Sequence, residues 1–286
     1  MEVRAGALLA PVNWHSPMFG PLAVDRSVQE ELMERVFAEP SARVEMNLLC
    51  DSQAPLETLV AAARRQRRVV LSRAVTRSPI IDTTGCVTEY EQTLSRNRRR
   101  ALRRQRRRLE QLGELTFEVH DGSERLDELL ADLYRVEASG WKGDRGTAIQ
   151  SQPETKRFYT AVARWAAEGG WLRLACLRLE GRAIACDYVI EHGGTWYSLK
   201  AGYDEEFRSF GPGALLLREE IGHCLASGVT CLDLLGNEDA FKSSWADRSV
   251  ERSWMGAFRR TPRGLAAWLR KAGREAARRS LRAFKK

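Results

Sequence analysis

In the first 85 residues, segments whose apolar residues have helical spacing alternate with segments whose composition favours strands. Apolar and charged residues recur at helical spacing over 25–38 and again over 55–66. The segments 43–49 and 68–75 are short and rich in Val and Leu, which favours strands. We therefore predict a β-α-β-α-β unit, which is short for an independent domain.

A long basic helix is predicted over 88–113. Thr88 and Glu91 have the spacing of a capping box, and Gly113 is placed to end the helix. A thin apolar seam runs along it, whereas nine arginines and no acidic residue fall within 96–108. Either the arginines bind nucleic acid or a membrane surface, or the helix is a solvated strut that meets acidic surface or a phosphate-bearing ligand.

From residue 115 to about 258 the pattern predicts the element order β-α-α-β-β-β-α-β-α-β. Alternation over 115–120 predicts the first strand, and Pro153 lies in the first turn of the second helix. Turn residues then separate three strands, at 171–179, 183–190 and 195–201. After a glycine-containing loop come a helix, a strand over 230–235, a short helix over 239–245 and a strand over 250–258.

The loop RSFGPG, at 208–213, combines an arginine with two glycines directly before a helix. A helix beginning near Ala214 would leave its first N–H groups without partners, and the helix dipole favours an anion there. Gly211 and Gly213 let a phosphate come close, and Arg208 adds a fixed positive charge. The pattern suggests a pyrophosphate site, but glycine-rich turns before helices are common, so the segment could equally be a simple turn.

The helix after this loop is predicted to be amphipathic. Leu217, Ile221 and Leu225 recur every four residues, and Gly228 is placed as a C-terminal cap. The residues predicted to lie off the apolar face are Arg218, Glu219 and Glu220.

Composition sets broad limits on the protein class. The chain of 286 residues, 43% of them hydrophobic, is large enough for one or two domains with a core. No apolar run has the length of a transmembrane helix, and the N-terminal residues lack the flanks of a signal peptide, so a cytoplasmic location is expected. The six cysteines and four histidines show no metal-ligand or triad spacing, and no metal site is expected.

The net charge of +8 is concentrated in two segments, the arginine helix and the C-terminus. Residues 259–286 hold eleven Lys or Arg against Glu275 alone. Pro262 begins a basic helix there, with Leu265 and Leu269 toward one side. Such a helix could lie on an anionic membrane, which would place the protein peripherally at its inner face, but packing against the rest of the chain is the favoured role.

Several segments together resemble the GNAT acyltransferases, in particular the cellulose-biosynthesis-type (CelD-like) branch, which is distantly related to the FemAB peptidyltransferases. They cover most of residues 13–258 and are specific in combination rather than singly. The segments are NWHSPMFGPLAVD, RRRLEQLGELTFEV, GWKGDRGTAI, FYTAVARWAAEGGWLRL, WYSLKAGYDEEFRSFGPGALLL and LDLLGNEDAFKSSWAD.

The resemblance implies an α/β (α+β) GNAT fold with a mixed central sheet, in tandem GNAT-like halves of which the first is incomplete. The expected divisions are a partial N-terminal half at 1–85, a basic connecting helix at 86–114, the acyltransferase domain at 115–260 and a basic helix at 261–286. The chain has less sequence before the NWHSP segment than is usual in the family. Phe241 stands where the branch commonly has tyrosine, so no phenol can donate a proton there.

The resemblance also implies acetyl-CoA or another acyl-CoA as co-substrate, without a metal. Acyl transfer in this fold is direct, with strand N–H groups polarising the thioester carbonyl, so no Cys or Ser nucleophile is needed. The residues expected to bind the co-substrate are Leu199, Ala201, Arg208, Ser209, Phe210, Gly211, Gly213 and Ala214.

The acceptor side is expected at the end of the strand before the loop. Asp204 or Glu206 is the predicted base and Asp187 the second choice, while Tyr203 is a proton shuttle or sugar-stacking ring and Lys200 lies beside them. Each carboxylate has a structural alternative, as a loop cap or surface charge. The residues expected to bind or enclose the acceptor are Trp141, Lys142, Asp233, Lys242 and Trp245.

The expected activity is acyl transfer to an amine or hydroxyl of a sugar, polysaccharide, glycolipid or other envelope-related acceptor. One alternative is a FemAB-like transferase that uses aminoacyl-tRNA, with 96–108 on the RNA backbone. The other is a non-catalytic protein that keeps the GNAT shell and binds a polyanion or membrane.

Overall fold

A computed structural model describes residues 1–4, 6–13, 15–50, 55–140, 143 and 146–283. The chain forms two compact units that are interleaved in sequence. The terminal unit comprises Met1–Ser78, Gly236–Glu238 and Ser249–Lys286, and the central unit comprises Pro79–Leu235 and Asp239–Arg248.

The elements follow the predicted alternation of helices and strands. In chain order they are β1 (Glu2–Arg4), β2 (Ala7–Leu9), α1 (Arg26–Ala38), β3 (Arg43–Cys50), α2 (Leu56–Arg65), β4 (Val69–Asp82), α3 (Val87–Thr93), α4 (Arg96–Glu110), β5 (Leu115–His120), α5 (Leu126–Glu137), α6 (Pro153–Glu168), β6 (Leu172–Leu179), β7 (Arg182–His192), β8 (Thr195–Tyr203), α7 (Pro212–Ser227), β9 (Cys231–Asp233), α8 (Ala240–Ser243), β10 (Arg248–Phe258) and α9 (Pro262–Ala283).

The terminal unit is built on strands β1, β2, β3 and β10. β1 pairs antiparallel with β2, β2 runs parallel to β3, and β3 pairs antiparallel with β10. Helices α1 and α2 cover this sheet because their apolar positions are buried against it, including Met33, Phe37 and Leu59 beside Met46 and Met255. The predicted helices over 25–38 and 55–66 and the strand over 43–49 are confirmed.

The central unit contains a mixed sheet in the order β4-β9-β8-β7-β6-β5. β9 runs parallel to β8, and the other neighbours are antiparallel. One face packs on α7 through residues such as Val189, Trp196 and Ile221, and the other packs on α5 and α6 through residues such as Leu133 and Tyr188. The element order predicted from residue 115 and the mixed α/β class are confirmed.

The predicted continuous helix over 88–113 is wrong. The chain instead forms α3 and α4, separated by an extended Leu94 whose side chain is buried. Ser95 starts α4, because its hydroxyl accepts a hydrogen bond from the Arg98 N–H. The capping box of α3 uses Cys86 and Glu89 rather than Thr88 and Glu91.

The prediction that Glu220 lies off the apolar face of its helix is also wrong. Glu220 is 3% exposed, and buried residues occupy several sides of α7. The reason is that α7 packs on the sheet and also contacts α3 and α4, so more than one of its faces is covered. Within the described part of the chain, no helix is both long enough and apolar enough to span a bilayer.

Candidate functional site

The strands β8 and β9 separate after a short parallel ladder. Their pairing begins at Thr195 with Cys231 and reaches Tyr197 with Asp233, where β9 ends while β8 continues to Tyr203. On its other side β8 pairs with β7, and the register slips there so that Leu199 is an extra residue on β8. Such a bulge bends a strand and changes the direction of its groups. β9 does not pair with 198–203, and we take the space beside this stretch as the candidate cleft.

The chain after β9 forms the opposite wall and is fixed by polar contacts. The Lys242 ammonium donates to the carbonyl oxygens of Leu234 and Leu235 at 2.9 and 2.7 Å. The Asp233 carboxylate accepts from the Leu235 N–H at 2.9 Å. Trp245, two residues after α8, is buried. These contacts suit residues that shape a cleft.

The predicted pyrophosphate loop lies beside this cleft as a 3₁₀-helix over Glu205–Phe210 followed by Gly211. Helix α7 begins at Pro212, two residues before the predicted start at Ala214. Gly211 has φ +66°, a left-handed conformation that disfavours other residues. A Cβ there would also lie 2.3 Å from Nε2 of Gln105 on α4.

Helix α4 adds two loop contacts that the sequence analysis missed. Arg108 donates from Nη1 to the Ser209 carbonyl at 3.1 Å, and its guanidinium lies 4.5 Å from the centroid of the Phe210 ring. Gln105 and Arg108 are three residues apart and therefore share a helix face. The predicted arginine-rich surface was the only available signal, because sequence alone cannot say which arginine turns toward the loop.

Two groups at the Gly211 end of the loop favour an anion. Helix α7, which has 16 residues, begins directly after Gly211, so the positive end of its dipole lies at the loop. The guanidinium of Arg108 contacts the loop at Ser209. Arg208 is 74% exposed and donates to Glu205 at 2.8 Å, so its charge is partly compensated. The ring of Tyr203 lies next to Gly213, where an added Cβ would be 3.3 Å from Cδ1. Tyr203 thus links the end of β8 to the loop.

The two carboxylates predicted as base are both held by arginine. Asp204 is 7% exposed and accepts from Arg182 at 2.7 Å and from Arg135 at 3.3 Å. It also caps the 3₁₀-helix through the Glu206 N–H. Glu206 is exposed and shares Arg182 at 2.8 Å. These contacts favour the structural alternative for Asp204, because a base must be free to take up a proton.

A buried acid pair lies under the cleft. Asp187 on β7 is 1% exposed and accepts a hydrogen bond from the Ser198 hydroxyl on β8, at the point where β8 leaves β9. Glu220 on α7 faces the same region, and burial, followed by the charge of Asp187, raises its pKa well above the usual range. Burial and the neighbouring charge of Asp187 therefore both favour the protonated form of Glu220.

The remaining predicted residues are spread around the cleft. Leu199 packs its side chain with the core beneath α5 and α6, and the Lys200 ammonium lies 5.7 Å from the ring centroid of Tyr159 on α6. Ala201 is exposed. Trp141 and Lys142 lie outside the described residues.

Comparison with known families gives one domain match. A family model described as an acetyltransferase (GNAT) domain matches residues 96–243, which contain the cleft, the loop and α4. No curated protein matches the chain by sequence.

Solved structures with the same fold have low sequence identity. FemX has a TM-score of 0.58 at 13% identity, over 80% of this chain and 75% of FemX. The C-terminal domain of a putative lysylphosphatidylglycerol synthetase from Agrobacterium fabrum has a TM-score of 0.56 at 16% identity, over 85% of this chain and 77% of that chain. A conserved protein of unknown function from Bacteroides thetaiotaomicron has a TM-score of 0.53 at 16% identity, over 82% and 75%. These likenesses establish the fold and do not single out the CelD-like branch.

Proposed function

Because the chain belongs to the GNAT acetyltransferase domain family, we propose that it transfers an acyl group from acetyl-CoA or another acyl-CoA to an amine or hydroxyl. The acceptor class that the sequence resemblance suggests is a sugar, polysaccharide, glycolipid or related envelope component. The observation that carries the proposal is the cleft between β8 and β9 opening beside the loop at Gly211.

The residues around the cleft fit the proposed co-substrate, whose acyl thioester would supply the activated carbonyl. The loop offers a glycine in the left-handed conformation, a helix N-terminus and the guanidinium of Arg108, which together suit a pyrophosphate. The wall at 198–203 offers strand backbone where β9 no longer pairs. Leu199 and Ala201 would act through backbone groups, because the Leu199 side chain turns into the core.

Asp187 is the carboxylate that we propose as proton acceptor. Its partner Ser198 lies on the strand that lines the cleft, so a proton leaving the acceptor can pass to the Ser198 oxygen while the Ser198 proton moves to Asp187. Tyr203, whose ring lies next to Gly213, would orient the acceptor or donor. Asp233, Lys242 and Trp245 hold the opposite wall.

Calorimetry with acetyl-CoA tests the donor site, and Arg108→Gln should weaken binding about tenfold because it removes a cation from the loop. Arg107→Gln is the matched control, since Arg107 is exposed on the same helix and has no loop contact among the described residues. Equal effects of both variants would remove Arg108 from the site. Absence of binding to any CoA species at millimolar concentration would reject the function.

A second candidate is a transferase that takes its acyl group from aminoacyl-tRNA. The observation that favours it is a stripe of exposed arginines on α4, Arg96, Arg100, Arg104 and Arg107, which have no acidic partner among the described contacts. Filter binding of tRNA at several salt concentrations tests it. Four phosphate contacts predict a slope of log K against log salt of about −3 to −4, and no binding at low salt would reject this candidate.

A further inference from the structure

Helix α9 presents leucines to solvent while its opposite side is anchored. Ala267 is buried in a cluster with Trp254 and Phe258 of β10, and Trp268 packs against that cluster. On the outer side, Leu265 is 39% exposed and Leu269 is 62% exposed. These leucines are four residues apart and therefore form one stripe along the helix. An anchored helix with an exposed apolar stripe is typical of a surface that binds a partner or a membrane.

A line of arginines, called here the arginine flank, lies about 100° or more around α9 from the leucine stripe. Arg263, Arg270 and Arg274 are exposed, recur at i, i+7 and i+11, and have no acidic partner among the described contacts. The nearby acids are already engaged, since Glu45 pairs with Lys271 and Glu275 pairs with Arg278. The flank therefore keeps its positive charge.

The arginine flank borders a basic groove. Arg263 and Arg270 line it together with Arg259 and with Arg43, which pairs with Glu45 at 2.7 Å, in a volume of about 530 Å³ that is also bounded by 40–42. Burial, followed by the charge of Arg259, lowers the pKa of the nearby Arg68 to about 10. The groove is therefore suited to phosphate groups.

The surface of α4 provides a useful contrast. Its arginines are also exposed, but its leucines Leu102 and Leu109 are buried. Such a surface attracts any polyanion through charge alone. Of these two basic helices, α9 is the one that combines an outward apolar stripe with exposed arginines, which is the pattern of a helix that lies in the interface of a bilayer.

We propose that α9 and its basic groove form a docking surface for a membrane of anionic phospholipid. Leu265 and Leu269 enter the boundary between headgroups and acyl chains, and Arg263, Arg270 and Arg274 bind the lipid phosphates. The helix has 22 residues and is about 33 Å long, so several headgroups lie along it. The proposal concerns the terminal unit and does not rest on the acyltransferase activity.

Sedimentation with vesicles tests the proposal on the full chain. Vesicles that contain phosphatidylglycerol should bind the protein, whereas pure phosphatidylcholine vesicles should bind it at least tenfold more weakly. Arg263→Gln, Arg270→Gln and Arg274→Gln combined should weaken binding about 100-fold, at roughly fivefold per arginine near an anionic surface. Leu265→Gln with Leu269→Gln should weaken it at least about tenfold.

The matched control is Arg96→Gln, Arg100→Gln and Arg104→Gln on α4, which removes the same charge from a surface without exposed leucines. This variant should keep vesicle binding within about threefold. Equal losses from the α4 and α9 arginine variants would show charge attraction alone, and unchanged binding of the leucine variant would overturn the insertion of α9. Binding to RNA but not to vesicles would also overturn the proposal.

Hydrogen exchange on the unaltered protein gives a measurement that needs no variant. Amides within 262–278 should exchange more slowly when phosphatidylglycerol vesicles are present, while the amides of α4 should not change. If the vesicles slow amide exchange in α4 alone, or do not slow it in α9, the proposal that α9 docks on the membrane is wrong.

Discussion

Glu220→Gln is the perturbation that tests the buried acid pair. Glu220 is 3% exposed on α7, and the groups that face it from the sheet are Asp187 on β7 and Cys176 on β6. Burial is the larger cause and the charge of these neighbours is the smaller one, and together they raise the pKa of Glu220 well above its usual range. Glutamine has the shape of the protonated acid but cannot lose a proton, so it removes the titration and keeps the volume.

The sign of the pH dependence follows from the raised pKa. Below the pKa of the unfolded chain, Glu220 is protonated in both states and stability is at its full value. As the pH rises, the unfolded chain releases the proton while the native protein keeps it, so the free energy of unfolding falls by up to about 1.4 kcal/mol per pH unit. The loss ends once the pH exceeds the raised native pKa. The Gln variant lacks this loss. Between pH 5.5 and 7.5 its free energy of unfolding should therefore rise relative to that of the unaltered protein, by as much as about 2.7 kcal/mol.

Urea unfolding monitored by circular dichroism at pH 5.5, 6.5 and 7.5 measures this difference. At pH 5.5 the variant should be less stable by about 1–3 kcal/mol, because the amide brings two N–H donors into a buried site where the protonated acid has a single O–H. The difference in the free energy of unfolding between Glu220→Gln and the unaltered protein should then shrink or change sign as the pH rises. Glu219→Gln is the control, because Glu219 is on the same helix but pairs with Arg106 at 2.7 Å. A Glu220 deficit that stays constant with pH would refute the protonated state.

Two further substitutions separate structural from chemical roles around the loop. Asp204→Asn weakens the contacts with Arg182 and Arg135 and should cost about 1–2 kcal/mol in urea unfolding. Its acyl-transfer rate should fall less than tenfold, and a fall of about 100-fold or more would instead make Asp204 the base. Gly211→Ala should cost about 1–2 kcal/mol, because alanine is strained at φ +66° and its Cβ displaces Gln105. Calorimetry should show weaker acetyl-CoA binding by this variant, and unchanged affinity would mean that the loop does not hold the donor.

The basic helix shows why local patterns have limits. The arginine pattern predicted a long helix, but a single serine cap and the burial of Leu94 divided it into α3 and α4. The same pattern could not indicate that Arg108 contacts Ser209 while Arg107 makes no loop contact among the described residues, because that choice depends on the position of the loop relative to α4.

The sequence by itself determined the order of strands and helices from residue 115, because periodic apolar positions and turn residues are local signals. It also placed the glycine loop directly before α7. Only the tertiary structure decided that β8 leaves β9 after Tyr197, that Asp204 is held by arginines, and that Glu220 is buried beside Asp187. These features depend on which strands pair and which helix faces are covered, and such contacts join residues far apart in the chain.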